Sequence, residues 1–184
     1  QSSVPNLSNP TIVSGGDRHT CALDDNGVQC WGDNSWEQTD VPSLSNPTKL
    51  TTGDNFACVI DNNDVVCWGQ NTFGQTDVPN LSNPTKLTTG DDHACVIDDT
   101  GVVCWGYSAC GQSSVPNLSN PTNVSGGDRH TCALDDNGVQ CWGDNSWEQT
   151  DVPSLSMPTK LTTGEMFACA SDNKDVVCGV ANTT

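Results

Sequence analysis

The feature that most constrains this chain is a period. The segment CALDDNGVQCWGDNSWEQ, starting at Cys21, returns as CVIDNNDVVCWGQNTFGQ at Cys58, CVIDDTGVVCWGYSACGQ at Cys95 and CALDDNGVQCWGDNSWEQ at Cys132. A degraded copy, CASDNKDVVCGVANTT, starts at Cys169. Successive copies are 37 residues apart, and Val-Pro pairs at Val4, Val41, Val78, Val115 and Val152 keep the same phase. A repeat of this length is one supersecondary unit that buries its apolar face only against a neighbour. Five units, approximately 1–37, 38–74, 75–111, 112–148 and 149–184, fill the 184 residues as a single repeat domain whose last unit is atypical.

Within a unit the elements are short. Thr11 to Gly15, with its counterparts at Thr48 and Thr85, is partly β-branched and predicts a first strand. His19 to Leu23 predicts a second and Val28 to Trp31 a third. Asp24-Asp25-Asn26-Gly27 between them is turn chemistry, because Asp and Asn bond their own backbone and Gly accepts positive φ. If Cys21 faces Cys30, Leu23 faces Val28 and a four-residue turn joins the strands. Helical periodicity is absent, and Gly and Pro interrupt too often for helices. The chain is therefore all-β, with small sheets arranged radially as a propeller or stacked as a solenoid.

Ten of the 11 cysteines form pairs with one spacing: Cys21 with Cys30, Cys58 with Cys67, Cys95 with Cys104, Cys132 with Cys141 and Cys169 with Cys178. Zinc sites favour C-x-x-C spacing and four converging ligands, which these pairs lack. Cross-strand disulfides in an oxidising compartment fit better, and with them an extracellular location. Cys110 is left over, as a free thiol or an intermolecular link. The chain begins at Gln1 without Met or a signal peptide, which reads as a processed product. No apolar run reaches 18 residues, so no membrane insertion is expected. A formal charge of −17 repels phosphate backbones and excludes nucleic acid as the partner.

The string H-T-C-A-L-D-D-N-G-V-Q-C-W-G-D-N, with Gly-Gln following in the second and third copies, resembles the repeat of the regulator of chromosome condensation family. The resemblance covers all five units and is closest to short, cysteine-bearing bacterial-type versions. It implies a β-propeller, a fold whose family members typically have seven blades; here five repeats imply a five-repeat β-propeller. The nucleotide exchange of the eukaryotic founder is not carried over, since disulfides and acidity argue against a chromatin-bound life. Gln1 shares the phase of Gln38, Gln75, Gln112 and Gln149, and the chain ends at Thr184 as the fifth period closes. In a ring this sets the termini side by side; in an open array it lets one subunit continue into the next. Residues 1–47 and 112–158 differ only at Ile12/Asn123 and Asn46/Met157, a duplication of three units.

No nucleophile elbow, phosphate loop or metalloprotease helix is present, so the sequence predicts no enzyme, no cofactor and no metal. His19, His93 and His130 share a phase with Phe56 and Phe167, which asks for a flat ring rather than a ligand. The Asp-rich turns at Asp24, Asp61, Asp98, Asp135 and Asp172 lack calcium-loop spacing. Trp31, Trp68, Trp105 and Trp142 should pack between units. Gly179 replaces them in the fifth, leaving a gap unless Gln1 to Leu7 or a neighbour fills it. The candidate binding residues are the loop aromatics and their acidic neighbours: Asp33, Trp36 and Glu37, then Phe73, then Asp144, Trp147 and Glu148. Sequons at Asn6, Asn80, Asn117, Asn123 and Asn182 are candidate N-glycosylation sites. Three functions fit: a secreted binding or adhesion scaffold for a protein or glycan, a subunit of a head-to-tail extracellular filament, and a lectin-like propeller.

Overall fold

The computed structural model describes residues 3–179. They form fifteen strands and no helix. Blade 1 contains β1 (Ile12–Gly15), β2 (His19–Asp24) and β3 (Gly27–Gly32). Blade 2 contains β4 (Pro47–Thr52), β5 (Phe56–Asp61) and β6 (Asp64–Gly69), and blade 3 β7 (Lys86–Thr89), β8 (His93–Asp98) and β9 (Gly101–Gly106). Blade 4 contains β10 (Asn123–Gly126), β11 (His130–Asp135) and β12 (Gly138–Gly143). Blade 5 contains β13 (Lys160–Thr163), β14 (Ala168–Ser171) and β15 (Val176–Gly179). Each blade is a three-stranded antiparallel meander, and the whole is a five-bladed β-propeller architecture. The inner strands lie one against the next, β1 on β4, β4 on β7, β7 on β10 and β10 on β13. The chain ends expected to meet, Gln1 and 180–184, lie outside the described residues.

The register follows from the paired cysteines. Cys21 faces Cys30, Leu23 faces Val28 and Asp24 faces Gly27, leaving Asp25 and Asn26 at the tip. Blade 2 has no glycine at this tip, and Asn62 and Asn63 take the left-handed backbone instead, with φ of 49° and 69°. Asparagine tolerates that region because its amide bonds locally. The five expected disulfides are formed: Cys21 to Cys30, Cys58 to Cys67, Cys95 to Cys104, Cys132 to Cys141 and Cys169 to Cys178. Each joins a middle strand to the outer edge strand of its blade. In blades 1 to 4 the middle-strand sulfur is the sheltered one. Cys21, Cys58, Cys95 and Cys132 are fully buried, whereas their partners Cys30, Cys67, Cys104 and Cys141 are half-buried at the sheet edge.

Alternation along the strands gives every blade two unlike faces. One carries the disulfide, with Leu23 and Val28 in blade 1. The other carries the tryptophan, with Leu50, Val59 and Trp68 in blade 2. The cysteine face of one blade packs on the tryptophan face of the next. Cys58, Ile60 and Val65 meet Val96 and Trp105 in the same way, with Cys67 packed against that cluster. The Val-Pro linkers seal these joints, Val41 and Leu44 entering the first and Val78 and Leu81 the second. Apolar burial is thus divided among small seams rather than gathered in one core. Hydroxyl pairs stitch the seams near the axis, Ser14 to Thr52 at 2.9 Å, Thr51 to Thr89 at 2.8 Å and Ser125 to Thr163 at 2.7 Å.

The first Asp of each hairpin turn also holds the linker that enters its blade. Its carboxylate accepts the backbone N–H of Ser8 (2.7 Å), Ser45 (3.0 Å), Ser82 (2.9 Å) and Ser119 (2.8 Å) in blades 1 to 4. The Ser8 N–H is the largest influence holding the Asp24 carboxyl below the usual range. In blade 5, Gly179 leaves no gap to be filled from the N-terminus. The segment 148–152 lies so close that a Cβ there would sit 2.9 Å from the Glu148 carbonyl oxygen.

Candidate functional site

Strand polarity puts two sets of loops at one end of the blades. The first set joins inner to middle strands (16–18, 53–55, 90–92, 127–129 and 164–166). The second leaves the outer strands at 33–38, 70–75, 107–112 and 144–149. Backbone bonds tie the sets together: Asp33 N–H to Arg18 O (2.8 Å), Tyr107 N–H to Asp92 O (2.9 Å) and Asp144 N–H to Arg129 O (2.8 Å).

Each outer loop is folded around a buried glutamine. The side-chain oxygens of Gln38, Gln75, Gln112 and Gln149 accept the N–H of Trp36, Phe73, Cys110 and Trp147 at 2.7–3.0 Å. Gln38 and Gln149 donate their amides to Asp33 (3.1 Å) and Asp144 (3.4 Å). The glutamine backbone carbonyl anchors the next blade, accepting the indole N–H of Trp68 from Gln38 and of Trp105 from Gln75. Sequence reasoning used these glutamines only as phase markers. Asp33 and Asp144 also accept from the hydroxyls of Ser35 and Ser146, the first cause holding their carboxyls low and charged.

On this scaffold Trp36, Phe73 and Trp147 stand exposed, and Phe73 meets Tyr107 of the next loop at 4.7 Å between ring centres. Glu37 and Glu148 follow the tryptophans with φ of 61° and 56°, where Gly74 and Gly111 stand in other repeats. A glutamate in that region costs about 1–2 kcal/mol relative to glycine. Two loops therefore keep a strained carboxylate beside an exposed indole. Cys110, in the aromatic phase, is half-buried and forms no disulfide.

Nearer the axis lies a constellation that the sequence reading missed. Asp17, Asp54, Asp91, Asp128 and Glu165 come from five different blades and line one cavity of about 530 Å³. The loops are linked by Asp17 N–H to Asp54 O (3.2 Å) and Asp54 N–H to Asp91 O (3.0 Å). Burial first, then a hydrogen bond with Asp128 and the surrounding carboxylates, pushes the Asp91 carboxyl up to about 8. Burial and then Asp92 raise Asp54 to about 6. The available signal was one acid at a fixed phase of every repeat.

Beneath this cavity lie the rings of His19, Phe56, His93 and His130, all buried. Gly90 is required there, since a Cβ would come within 2.2 Å of His93 Cε1. The His93 Nε2 bonds the Thr131 hydroxyl at 2.8 Å, and burial lowers the ring's pKa to about 4. Phe167, at the same phase, is instead exposed. Among the described residues no three His, Cys, Asp or Glu side chains are arranged to hold a metal ion.

The sequons lie elsewhere. Asn6, Asn80 and Asn117 are exposed on the linkers at the opposite end, beside the hairpin turns. Asn123 is half-buried in β10, with its side-chain oxygen on the Val124 N–H at 3.0 Å. Asn182 is outside the described residues.

Comparison with known proteins fits this architecture. The model of the regulator of chromosome condensation (RCC1) repeat matches residues 11–35, 48–75, 85–112 and 122–146, more than half of the chain. No curated protein sequence matches it. The entire ectodomain of the Physcomitrella patens receptor kinase CR4 superposes with a TM-score of 0.79 at 26% identity, over 98% of this chain and 53% of that one. The ectodomain of the Arabidopsis thaliana receptor kinase ACR4 gives 0.73 at 22% identity, over 92% and 65%. Prp20p from Saccharomyces cerevisiae, whose structure is reported with its binding to Gsp1p and histones, gives 0.77 at 20% identity, over 92% and 56%. The chain thus spans between about half and two thirds of these solved chains. From its repeats, blades and matched segments, the chain belongs to the regulator of chromosome condensation (RCC1) repeat family.

Proposed function

We propose that this chain is an extracellular, non-enzymatic binding module that takes a cationic segment of a partner protein on the end carrying its outer loops. The observation that carries the reading is the pairing of exposed Trp36 and Trp147 with Glu37 and Glu148 in left-handed backbone. Backbone strain is retained where a function over-determines it, and glycine shows the unstrained alternative in the sister loops. Aromatic faces beside carboxylates suit lysine and arginine, whose charge pairs with the acid while the stem or guanidinium lies on the ring. The net charge of −17 and the axial carboxylates steer such partners to the same end. Five disulfides and the likeness to receptor-kinase ectodomains support the extracellular location. Prp20p, a fold relative, binds proteins.

The test uses synthetic peptides of one length, graded from acidic to lysine- and arginine-rich, titrated while tryptophan fluorescence is followed. Basic peptides should bind, perturb the fluorescence and weaken with added salt. Trp36→Ala combined with Trp147→Ala should lower affinity about tenfold or more. Equal binding of acidic and basic peptides, or an unchanged affinity in the double variant, would overturn the reading. Binding of oligosaccharides alone would make the same loops a lectin site.

A further inference from the structure

The loop 107–112 departs from its sisters, and its departures converge on a buried donor without an acceptor. The side-chain oxygen of Gln112 accepts the Cys110 N–H at 3.0 Å, which fixes the amide nitrogen as the other end of the group. In two sister loops that nitrogen donates to a carboxylate of the same loop, Gln38 to Asp33 at 3.1 Å and Gln149 to Asp144 at 3.4 Å. In the loop before it, the nitrogen reaches the next blade, Gln75 donating to Asp92 at 3.1 Å. The loop 107–112 has neither acceptor, because Tyr107 stands at the phase of Asp33 and Arg129 at the phase of Asp92. Gln112 is 0% exposed, and its Nε2 has no partner among the described residues. A donor buried without an acceptor is costly, so this amide marks a place for one.

The surroundings favour an anion. Loops 33–38 and 144–149 each hold an Asp and a Glu, whereas 107–112 holds no acid, with Gly111 where Glu37 and Glu148 stand. Arg129 comes from the inner loop of blade 4. Its pKa is raised first by Asp128, which its Nε meets at 3.5 Å, and further by Tyr107, Cys110 and Asp144. The guanidinium therefore lies beside the loop that carries Cys110. That thiol is half-buried, and it is far smaller than the aromatic rings at its phase. A Cβ at Gly111 would meet nothing within 4 Å, so the loop has room beside the sulfur.

We propose that Cys110 is a covalent attachment site for a small thiol carrying a carboxylate, delivered as its disulfide, with Gln112 and Arg129 receiving the carboxylate. The Cys110 sulfur, its proton lost to solvent, attacks one sulfur of the disulfide. The new S–S bond forms as the old one breaks, and the departing thiolate takes up a proton. Cys110 is oxidised and the departing half is reduced, so the disulfide is itself the oxidant. The carboxylate of the retained half accepts from the Gln112 amide and pairs with the Arg129 guanidinium. The amide is shut off from water, so a side chain must shift to admit the carboxylate, and no solvent bond then competes with it. This site takes an anion where the tryptophan loops take a cation, and the two readings fail separately.

The experiment follows labelling of Cys110 by intact mass, on protein whose five other disulfides are confirmed by mapping. The reagents are dithiodipropionate, which carries carboxylates, neutral bis(2-hydroxyethyl) disulfide and cationic cystamine. Each rate is divided by that of a neutral cysteine peptide, which removes the intrinsic reactivity of the reagent. The net charge of −17 by itself favours cystamine. The site should reverse that order, with dithiodipropionate about tenfold faster than the neutral reagent. Arg129→Gln removes the cation, and Tyr107→Asn offers the Gln112 amide a neutral acceptor. Each should abolish the preference, whereas Tyr107→Phe should keep it. A wild type that prefers the neutral or cationic reagent, or that none of the three labels at Cys110, would overturn the inference. So would a preference that survives Arg129→Gln or Tyr107→Asn, or one lost in Tyr107→Phe.

Discussion

Ala57→Thr is expected to stabilise the protein. His19 is buried, and neither ring nitrogen closes a hydrogen bond of good geometry. Burial lowers its pKa, opposed by the nearby Asp54 backbone and then by Asp33. The same ring in blade 3 is better served. His93 Nε2 meets the Thr131 hydroxyl at 2.8 Å, and that hydroxyl donates to the Gln112 carbonyl at 2.9 Å. Ala57 holds the position of Thr131 on the blade that faces His19. A hydroxyl there can donate to the Gln38 carbonyl and accept from the histidine Nε2–H. An unsatisfied buried polar group costs about 1–3 kcal/mol, and a completed bond returns about 1 kcal/mol net. For a chain of 184 residues that gain raises Tm by about 2–4 °C. Thr131→Ala is the reciprocal change and should lower Tm by at least as much. Thermal unfolding with disulfides intact reads the stability, and imidazole ¹⁵N shifts report whether Nε2 of His19 has gained a partner. A lower Tm for Ala57→Thr with an unmoved His19 resonance would refute the assignment of that nitrogen as an orphan.

Two other outcomes follow from the geometry. Gly179→Trp, which restores the repeat consensus, should destabilise blade 5 by about 1–3 kcal/mol, because segment 148–152 occupies the space; faster amide exchange in β14 and β15 checks this, and increased protection would contradict it. The raised carboxyls of Asp91 (about 8) and Asp54 (about 6), against 3.8 unfolded, mean that the native state keeps protons the unfolded chain releases. Their contribution is full below about pH 4 and is lost as pH rises through 6 and then 8, about 1–2 kcal/mol for Asp91 after discounting its partial exposure. Asp91→Asn should flatten that slope in Tm-against-pH profiles and raise Tm at pH 8 by about 2–6 °C; an equal slope in wild type and variant would show that the axial acids are not coupled.

Much of the fold was legible because one period carries it. The spacing of Cys21 and Cys30, kept by Cys58 and Cys67 and by Cys132 and Cys141, set the hairpin register, and three strands emerged within a residue or two of their positions. The aromatic loops were legible because Trp36 and Trp147 sit among turn residues, outside the strand alternation. The axial acids were not, since Asp17, Asp54, Asp91 and Asp128 are far apart in sequence and converge only when blades are set side by side. Glutamine was missed for another reason: its work is local, turning a loop and offering a carbonyl to the next tryptophan. The gap expected at Gly179 did not arise, because the backbone of 148–152 lies directly against it.

The placement of the disulfides has a mechanical consequence. Each one ties an outer strand to the middle strand of its own blade, and none of the five crosses from one blade to another. A chain pulled by its ends can therefore be drawn apart blade by blade, yet every hairpin loop between the bonded cysteines stays shut. Each repeat then lengthens to roughly 95 Å rather than the roughly 125 Å of a reduced one. What remains under tension is a string of small closed knots, each with its strand register kept for refolding when the load is released.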